Sequence, residues 1–482
     1  MSGGPFSQRQ RHPDGLGRSV VPLNQNSTGS SHASSRNGLS RDEMKTLTDR
    51  ILGFAKADQT RVLIRSGVSG FTRTAMNRIT TAGSTNDVSV RITSAVGQRV
   101  ASVDTNRIDD RSLETAVRDS ESMARLSPEN PEYLPEPSPQ SYVEVNGYYP
   151  STGDLANEDR ARAASLVLER SKAAGTVAAG FIDVFAGSQA VANRHGLFAY
   201  HASTGVASTL TVRTPDGRSS GWAGDEGADW TTIESQRIAD GAFSKCQDWR
   251  GRTALDPGAY EAVLEPTAVG MLMLRMMNAF DARTADEGRS YFSKTGGGTR
   301  VGELVFDERV SITSSPAFGN AETAPFTGVG EAVAPETWVD KGVLKNLAYS
   351  RFWAGKQNAA PRPAMSNFIL SGGEASLDDL IASVKRGVLI TRFWYIRSLN
   401  PRMLVQTGLT RDGTFLIENG RISRPVTNFR FNQSLADLLK NVEVMGRPTR
   451  VCAGEDSAVG APVVVPALKV RSFNLSSVSD AI

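Results

Sequence analysis

The sequence predicts an α+β protein, on three observations. Runs such as RVLIRSG, FTRTAMNRITTAG and DVSVRITSAVGQRVASVDTN alternate apolar and polar residues, the period of antiparallel strands with one polar face. Helix-opening signals precede and follow those runs, the clearest being Ser40 with Glu43 three residues later, the spacing of a capping box. The C-terminal half carries Asp412-Gly413 and Asn419-Gly420 between apolar runs, the residue pairs of type I′ hairpins. The expected architecture is an N-terminal helix plus antiparallel-sheet domain, a β-rich middle region, and a C-terminal β-rich, barrel-like domain with a buried helix.

In chain order, residues 1–40 are rich in Ser, Gly, Asn and Arg and too poor in apolar residues to offset the entropy of ordering them, so they read as a disordered basic tail. The first domain spans 41–130: a helix over 41–56, the strand runs, and a closing helix over 112–126. The Pro-rich PENPEYLPEPSPQ, residues 128–140, fits no regular element, and 131–150 reads as a linker. The middle region, 151–257, opens with a helix over 157–174, continues as strands with a Pro-Asp-Gly turn at 215–217, and ends in a helix near 232–247. The last domain, 258–482, opens with YEAVLEPTAVGMLMLRMMNAFD: a short strand, a bend at Pro266, Thr267 as a cap, and a helix apolar almost all round and therefore buried. Short helices near 376–385 and 434–442 each start at a Ser with Asp three residues on.

The totals exclude several function classes. A net charge of +3 over 482 residues demands neither nucleic acid nor an anionic membrane. Two cysteines, Cys246 and Cys452, make no disulfide framework, and no apolar run reaches the roughly 18 residues of a spanning helix. With no secretory signal pattern at the N-terminus, the expected location is the cytoplasm.

Candidate chemistry is sparse. Gly217-Arg218-Ser219-Ser220-Gly221 matches the G-x-S-x-G of a hydrolase elbow, but it follows a hairpin turn and precedes no helix. His195 and His201, if on one strand, stand roughly 20 Å apart, too far to share a metal, and read as loop or surface residues. Asp225, Glu226 and Asp229 lack the spacing of a calcium loop and read as a solvated acidic loop, while Gly296-Gly297-Gly298 precedes a strand rather than a phosphate-binding helix. Cys452, in RVCAGED, sits among small residues where a thiolate could reach a pocket.

Four stretches carry a resemblance: AVLEPTAVGML, PRPAMSNFILSGGEASLDDLIASVKRGVLI, TGLTRDGTFLIENGRISRPVTNF and VCAGEDSAVGAPVVVPALKV. In order and spacing they resemble the TldD/PmbA family of zinc metallopeptidases. The TldD-like members of that family carry H-E-x-x-x-H on the helix, with a downstream cysteine as a further zinc ligand. Here the resemblance places Leu274, Arg275 and Ala279 at the His, Glu and His positions, and only Cys452 matches. It therefore implies a PmbA/TldE-like chain with no catalytic residue or metal of its own, zinc being expected on a TldD-like partner subunit of a heterodimer or higher oligomer. The implied substrates are unfolded or modified peptides, with roles in peptide maturation and small-protein degradation attached to the family. The helix residues agree: Met271, Met273, Met276 and Met277 offer thioethers where zinc wants imidazole, and read as core or interface filler.

For peptide or partner contact the expected residues are Arg362 and Asn367 in PRPAMSN and Arg411 in the TRDG turn. Two alternatives stand beside this reading: a stand-alone peptide-binding homo-oligomer, and an autonomous hydrolase using Cys452 with His195 or His201.

Overall fold

The structure is a computed structural model that describes residues 37–455 and 460–479. Most of the expected tail, residues 1–36, lies outside them. Ser40 caps α1 (Arg41–Phe54) with its hydroxyl accepting from the Glu43 amide, while the Glu43 carboxylate accepts from the Ser40 amide, the capping box read from the sequence.

Six strands form the first sheet: β1 (Gln59–Ala75), β2 (Arg78–Val96), β3 (Arg99–Thr105), β4 (Val177–Asn193), β5 (Phe198–Arg213) and β6 (Ser220–Gly227), in the order β3-β2-β1-β4-β5-β6, all antiparallel. Because β1 pairs β2 on one side and β4 on the other, the strands of the N-terminal and middle regions share one sheet. The sequence puts breaks at the glycines of this stretch, but Gly67, Gly70 and Gly83 lie inside β1 and β2. A Cβ on Gly67 would stand 2.7 Å from the Ala186 carbonyl oxygen, so this glycine marks close backbone approach rather than a turn. The chain turns instead at Met76-Asn77, both at positive φ.

Side chains alternate across the sheet, and register partners share a face. Even-numbered residues of β1, β4 and β5 face the helices. At one end α1 and α2 (Asp110–Leu126) pack on Val62, Ile64 and Ala190; at the other, beyond the short α3 (Pro150–Gly153), α4 (Asn157–Ala173) and α5 (Ser235–Asp248) pack on Ile182, Val184, Val206 and Leu210. The odd-numbered face turns toward the C-terminal half, where Leu63, Val191 and Ala199 pack with Phe326.

The C-terminal half holds two open sheets rather than the expected barrel-like one. In the nine-stranded sheet β7 (Gly258–Leu264) lies at the centre, parallel to Arg386–Ile390 and antiparallel to Leu468–Ser479. A smaller sheet orders Val343–Leu344, Glu336–Asp340, Ile312–Ser314, Phe368–Leu370, Val463–Val465 and Thr449–Arg450. Between them runs α6 (Pro266–Met276), with Ala268–Met273 and Met276 buried, as its composition predicts. Its cap is Glu265 and not the expected Thr267, because Pro266 takes the first helical position, where a missing N–H is harmless. Met271, Met273 and Met276 fill the core, and Met277 begins a 3₁₀ turn to Phe280.

The two Asx-Gly pairs behave differently. Asn419-Gly420 closes a true hairpin, Glu418 pairing Arg421. Asp412-Gly413 does not: the strands it joins, Val405–Thr410 and Thr414–Glu418, pair with other neighbours and not with each other. Positive φ is needed at both residues all the same, to turn a corner instead of a hairpin. Among the described residues no helix is long and apolar enough to cross a membrane.

Gly221, the last residue of the G-x-S-x-G match, lets β6 lie against α5; a Cβ there would stand 2.2 Å from the Ala242 carbonyl oxygen and 2.3 Å from the Cys246 amide nitrogen. Gly221→Ala is expected to destabilise the protein by about 1–3 kcal/mol through overpacking, read as a lowered urea midpoint with an unchanged denaturant slope.

Candidate functional site

Leu274 and Arg275, near the end of α6, and Ala279, in the 3₁₀ turn, line one cavity of about 390 Å³ together with Asn278, Arg289, Ile396 and Arg397. Arg275 crosses to Glu455, its Nη2 donating to Oε1 at 2.8 Å. The same carboxylate accepts from the Ile396 amide at 2.6 Å and from Arg397 at 3.2 Å. An Arg–Glu–Arg cluster thus stands where the resemblance places a metal-binding motif. Glu455 lies three residues beyond Cys452 in RVCAGED, outside the residues expected from the sequence. No local pattern marks it, because its partners are about 60 and 180 residues away.

The donor set does not fit zinc. Leu274 and Ala279 present no ligand atom, and Arg275 presents a cation already paired. Cys452 is 1 % exposed, and burial with Glu226 nearby pushes its thiol up to about 12, so it is protonated at neutral pH. Among the described residues no group of three His, Cys, Asp or Glu is placed to hold a metal ion.

The histidines stand apart from this region. His195 lies in the turn between β4 and β5, its Nε2 2.6 Å from the Gln59 side-chain oxygen. His201 is not the loop or surface residue expected: it is buried in β5, beside Gly147, and its Nε2 has no hydrogen-bond partner among the described residues. The groups acting electrostatically on Cys452 are Glu226, Arg392, Asp225 and Arg450, with neither histidine among them.

The acidic cluster is likewise not a solvated loop. Asp225 pairs with Arg237, buried Glu226 with Arg450 at 3.3 Å, and Asp229 accepts from Ser151 and from the Thr231 amide. Ser219 is buried, its hydroxyl donating to the Cys246 carbonyl at 2.5 Å, so it is not a raised nucleophile.

Of the residues expected to contact peptide or partner, Arg362 donates to Glu336 at 2.6 Å and is partly exposed. Asn367 is fully buried: its oxygen accepts from the Ser315 amide and its amide nitrogen donates to the Ser315 and Ala321 carbonyls, leaving no group for a ligand. Arg411 does line a cleft, of about 480 Å³, between the odd-numbered face of the first sheet and the corner around residues 392–412. Arg73, Phe181, Arg213 and Trp222 contribute from the sheet; Arg392, Trp394, Arg411, Asp412 and Glu455 from the C-terminal half. At its base Arg392 donates to Asp412 at 3.0 Å while stacking 4.3 Å from the centre of the Trp222 ring, and the Ser220 hydroxyl donates to the other Asp412 oxygen at 2.8 Å. Arg392 two residues before Trp394 in TRFWYIRS is a signal the sequence does offer for this site.

Residues 257–477 match the family model of the PmbA/TldA metallopeptidase C-terminal domain. Over 237 residues the chain is 26 % identical to a metalloprotease of Methanothermobacter thermautotrophicus, covering 45 % of this chain and 50 % of that protein. Over 123 residues it is 28 % identical to a metalloprotease TldD homologue of Haemophilus influenzae, covering 24 % and 25 % respectively. The chain therefore matches about half the length, or less, of these curated relatives. In fold it is similar to the crystal structure of TldE from Thermococcus kodakarensis, with a TM-score of 0.79 and 16 % identity over 89 % of this chain and 99 % of that one.

Two outcomes follow from the buried groups. Asp412→Asn leaves the Arg392 guanidinium buried without a counter-charge, and a loss of roughly 3–5 kcal/mol is expected in chemical denaturation. Burial holds His201 down at about 4 against an ordinary 6.5. Between those values the unfolded chain binds the extra proton, so the stability tied to neutral His201 is present above pH 6.5 and is lost as pH falls through 4, by up to ~3 kcal/mol. Denaturation midpoints across pH 4–7 should slope less for His201→Gln than for the native chain.

Proposed function

We infer that this chain, which belongs to the TldD/PmbA metallopeptidase family, is a TldE-like subunit that works with a zinc-bearing, TldD-like partner and holds no metal itself. The observation that carries this reading is the Arg275–Glu455–Arg397 cluster: the position that the resemblance gives to a zinc motif offers two cations and a carboxylate already paired with them. A third protein ligand and an open coordination position, which hydrolysis at zinc requires, have no source in that cluster. The buried, protonated Cys452 lends no support to autonomous cysteine hydrolysis. What the chain contributes in this reading is surface, including strand edges to which an extended peptide can add by main-chain hydrogen bonds.

The chain purified alone is expected to carry far less than one zinc per molecule by elemental analysis and to leave casein and short peptides intact. Co-expression with an H-E-x-x-x-H family member is expected to give a complex with zinc and peptidase activity. Stoichiometric zinc, or proteolysis abolished by chelator in the chain alone, would overturn the reading; a homo-oligomer that ignores the zinc-bearing chain would favour a stand-alone peptide binder.

A further inference from the structure

The helix-bearing face of the first sheet has a gap. α1 and α2 pack on one end of it, and α4 and α5 on the other. Between the two pairs of helices Val68 lies opposite Ala186 and Gly70 opposite Val184, two register pairs on the same face. These four residues line a cavity of about 300 Å³, bounded also by Arg160 of α4 and by residues 152–156, which lead from α3 into α4. The volume is at the small end for ligand sites, and Val68, Val184 and Ala186 make the floor apolar.

Two charges of opposite sign line that cavity, and neither has an ion-pair partner among the described residues. Arg160 is 3 % exposed, a burial at which a guanidinium is ordinarily held by a carboxylate. Its Nη2 donates instead to neutral acceptors: the Asn157 side-chain oxygen at 2.6 Å, the Ser84 hydroxyl at 3.3 Å and the Gly83 carbonyl at 3.4 Å. Nε is buried without a partner, and Nη1 makes no hydrogen bond among the described residues. Nη1 lies against Gly70, where a Cβ would stand 2.7 Å from it, so the missing side chain is what admits the guanidinium to the cavity floor. Glu158, Asp159 and Asp183 act on its charge from a distance, Asp159 being engaged by Arg162 and the Ala156 amide, and burial holds the guanidinium below its ordinary value. Asp154, in turn, is exposed at the rim, and its carboxylate has neither hydrogen bond nor ion pair among the described residues.

A carboxylate brought to Nη1 recovers part of the cost of burying Arg160, and an ammonium on the same small molecule answers Asp154. We propose that this cavity binds a small aliphatic zwitterion, a free amino acid or a dipeptide, with its carboxylate on Arg160, its ammonium at Asp154 and its side chain over Val68, Val184 and Ala186. The assignment rests on this cavity and not on the peptidase-subunit reading.

The test is isothermal titration calorimetry of the purified full chain with L-leucine and with glycyl-L-leucine, which carry the same two charges at shorter and longer spacing. At least one is expected to bind saturably, with a dissociation constant below about 1 mM. It should bind roughly tenfold or more tighter than isocaproate, which lacks the ammonium, and than isoamylamine, which lacks the carboxylate. Arg160→Gln should weaken binding roughly tenfold or more, with circular dichroism melts to check that the variant folds. Asp154 is exposed and unpaired, so Asp154→Asn leaves the fold intact and should bring the zwitterion down to the affinity of isocaproate, a readout that does not depend on the Arg160 variant. A rise in the melting temperature of the native chain with added zwitterion is a further measurement. Absence of saturable binding by both zwitterions up to about 10 mM would overturn the proposal. So would isocaproate or isoamylamine binding as tightly as the zwitterion, an unchanged affinity in Asp154→Asn, or displacement by equimolar inorganic phosphate. Since the measurement needs no zinc-bearing partner, its failure leaves the subunit reading standing.

Discussion

Asp412 is the carboxylate on which the joint between the two halves turns. It is 1 % exposed, it sits at positive φ in a corner, and it receives both Arg392 from its own half and Ser220 from β6. Neither charge could stay in so dry a place without the other, since the desolvation of each is compensated only by their contact. Six residues further along β6 from Ser220, Glu226 meets Arg450 in a second buried pair. The edge strand of the first sheet is therefore keyed twice to the C-terminal half. Buried pairs of this kind contribute less to net stability than to geometry: a slip of β6 would leave two charges without partners. The odd-numbered face of the sheet is thereby held opposite the 392–412 corner, and the arginine-lined cleft is the space that this arrangement leaves.

The cavity beside α6 depends on the same economy of charge. Arg275 and Arg397 converge on Glu455, and the Ile396 amide completes the carboxylate's contacts. The cluster satisfies itself, so nothing in it calls for a cation. Around it α6 presents Met271, Met273 and Met276 to the core, which suits packing against two sheets and offers no hard ligand. Cys452, the one matching position, is enclosed so completely that its thiol keeps its proton.

Much of the architecture was legible because it is written in neighbouring residues. The capping boxes at Ser40 and Ser376, the buried α6 and the hairpin at Asn419-Gly420 each depend on side chains a few positions apart. The misreadings have a common cause. Gly67 and Gly70 looked like breaks, yet they lie in mid-strand, Gly67 because the β4 backbone comes close to it and Gly70 because the Arg160 guanidinium does. Asp412-Gly413 looked like a hairpin, yet its strands found other partners. Asn367 is expected at a peptide or partner contact, yet it clamps the 315–321 loop from inside. In each case the local pattern states a backbone conformation correctly and leaves open what surrounds it.

The sequence by itself determined the class of fold and the approximate spans of the main helices, which follow from composition and short-range spacing; that Leu274, Arg275 and Ala279 stand at metal-motif positions is implied by the resemblance. Tertiary structure alone decided which charges meet. Ser220 and Asp412 are 192 residues apart, Arg275 and Glu455 are 180 apart, and Glu226 and Arg450 are 224 apart. An ion pair leaves no trace in local periodicity, since any of 54 basic residues could meet any of 51 acidic ones until burial makes one pairing obligatory.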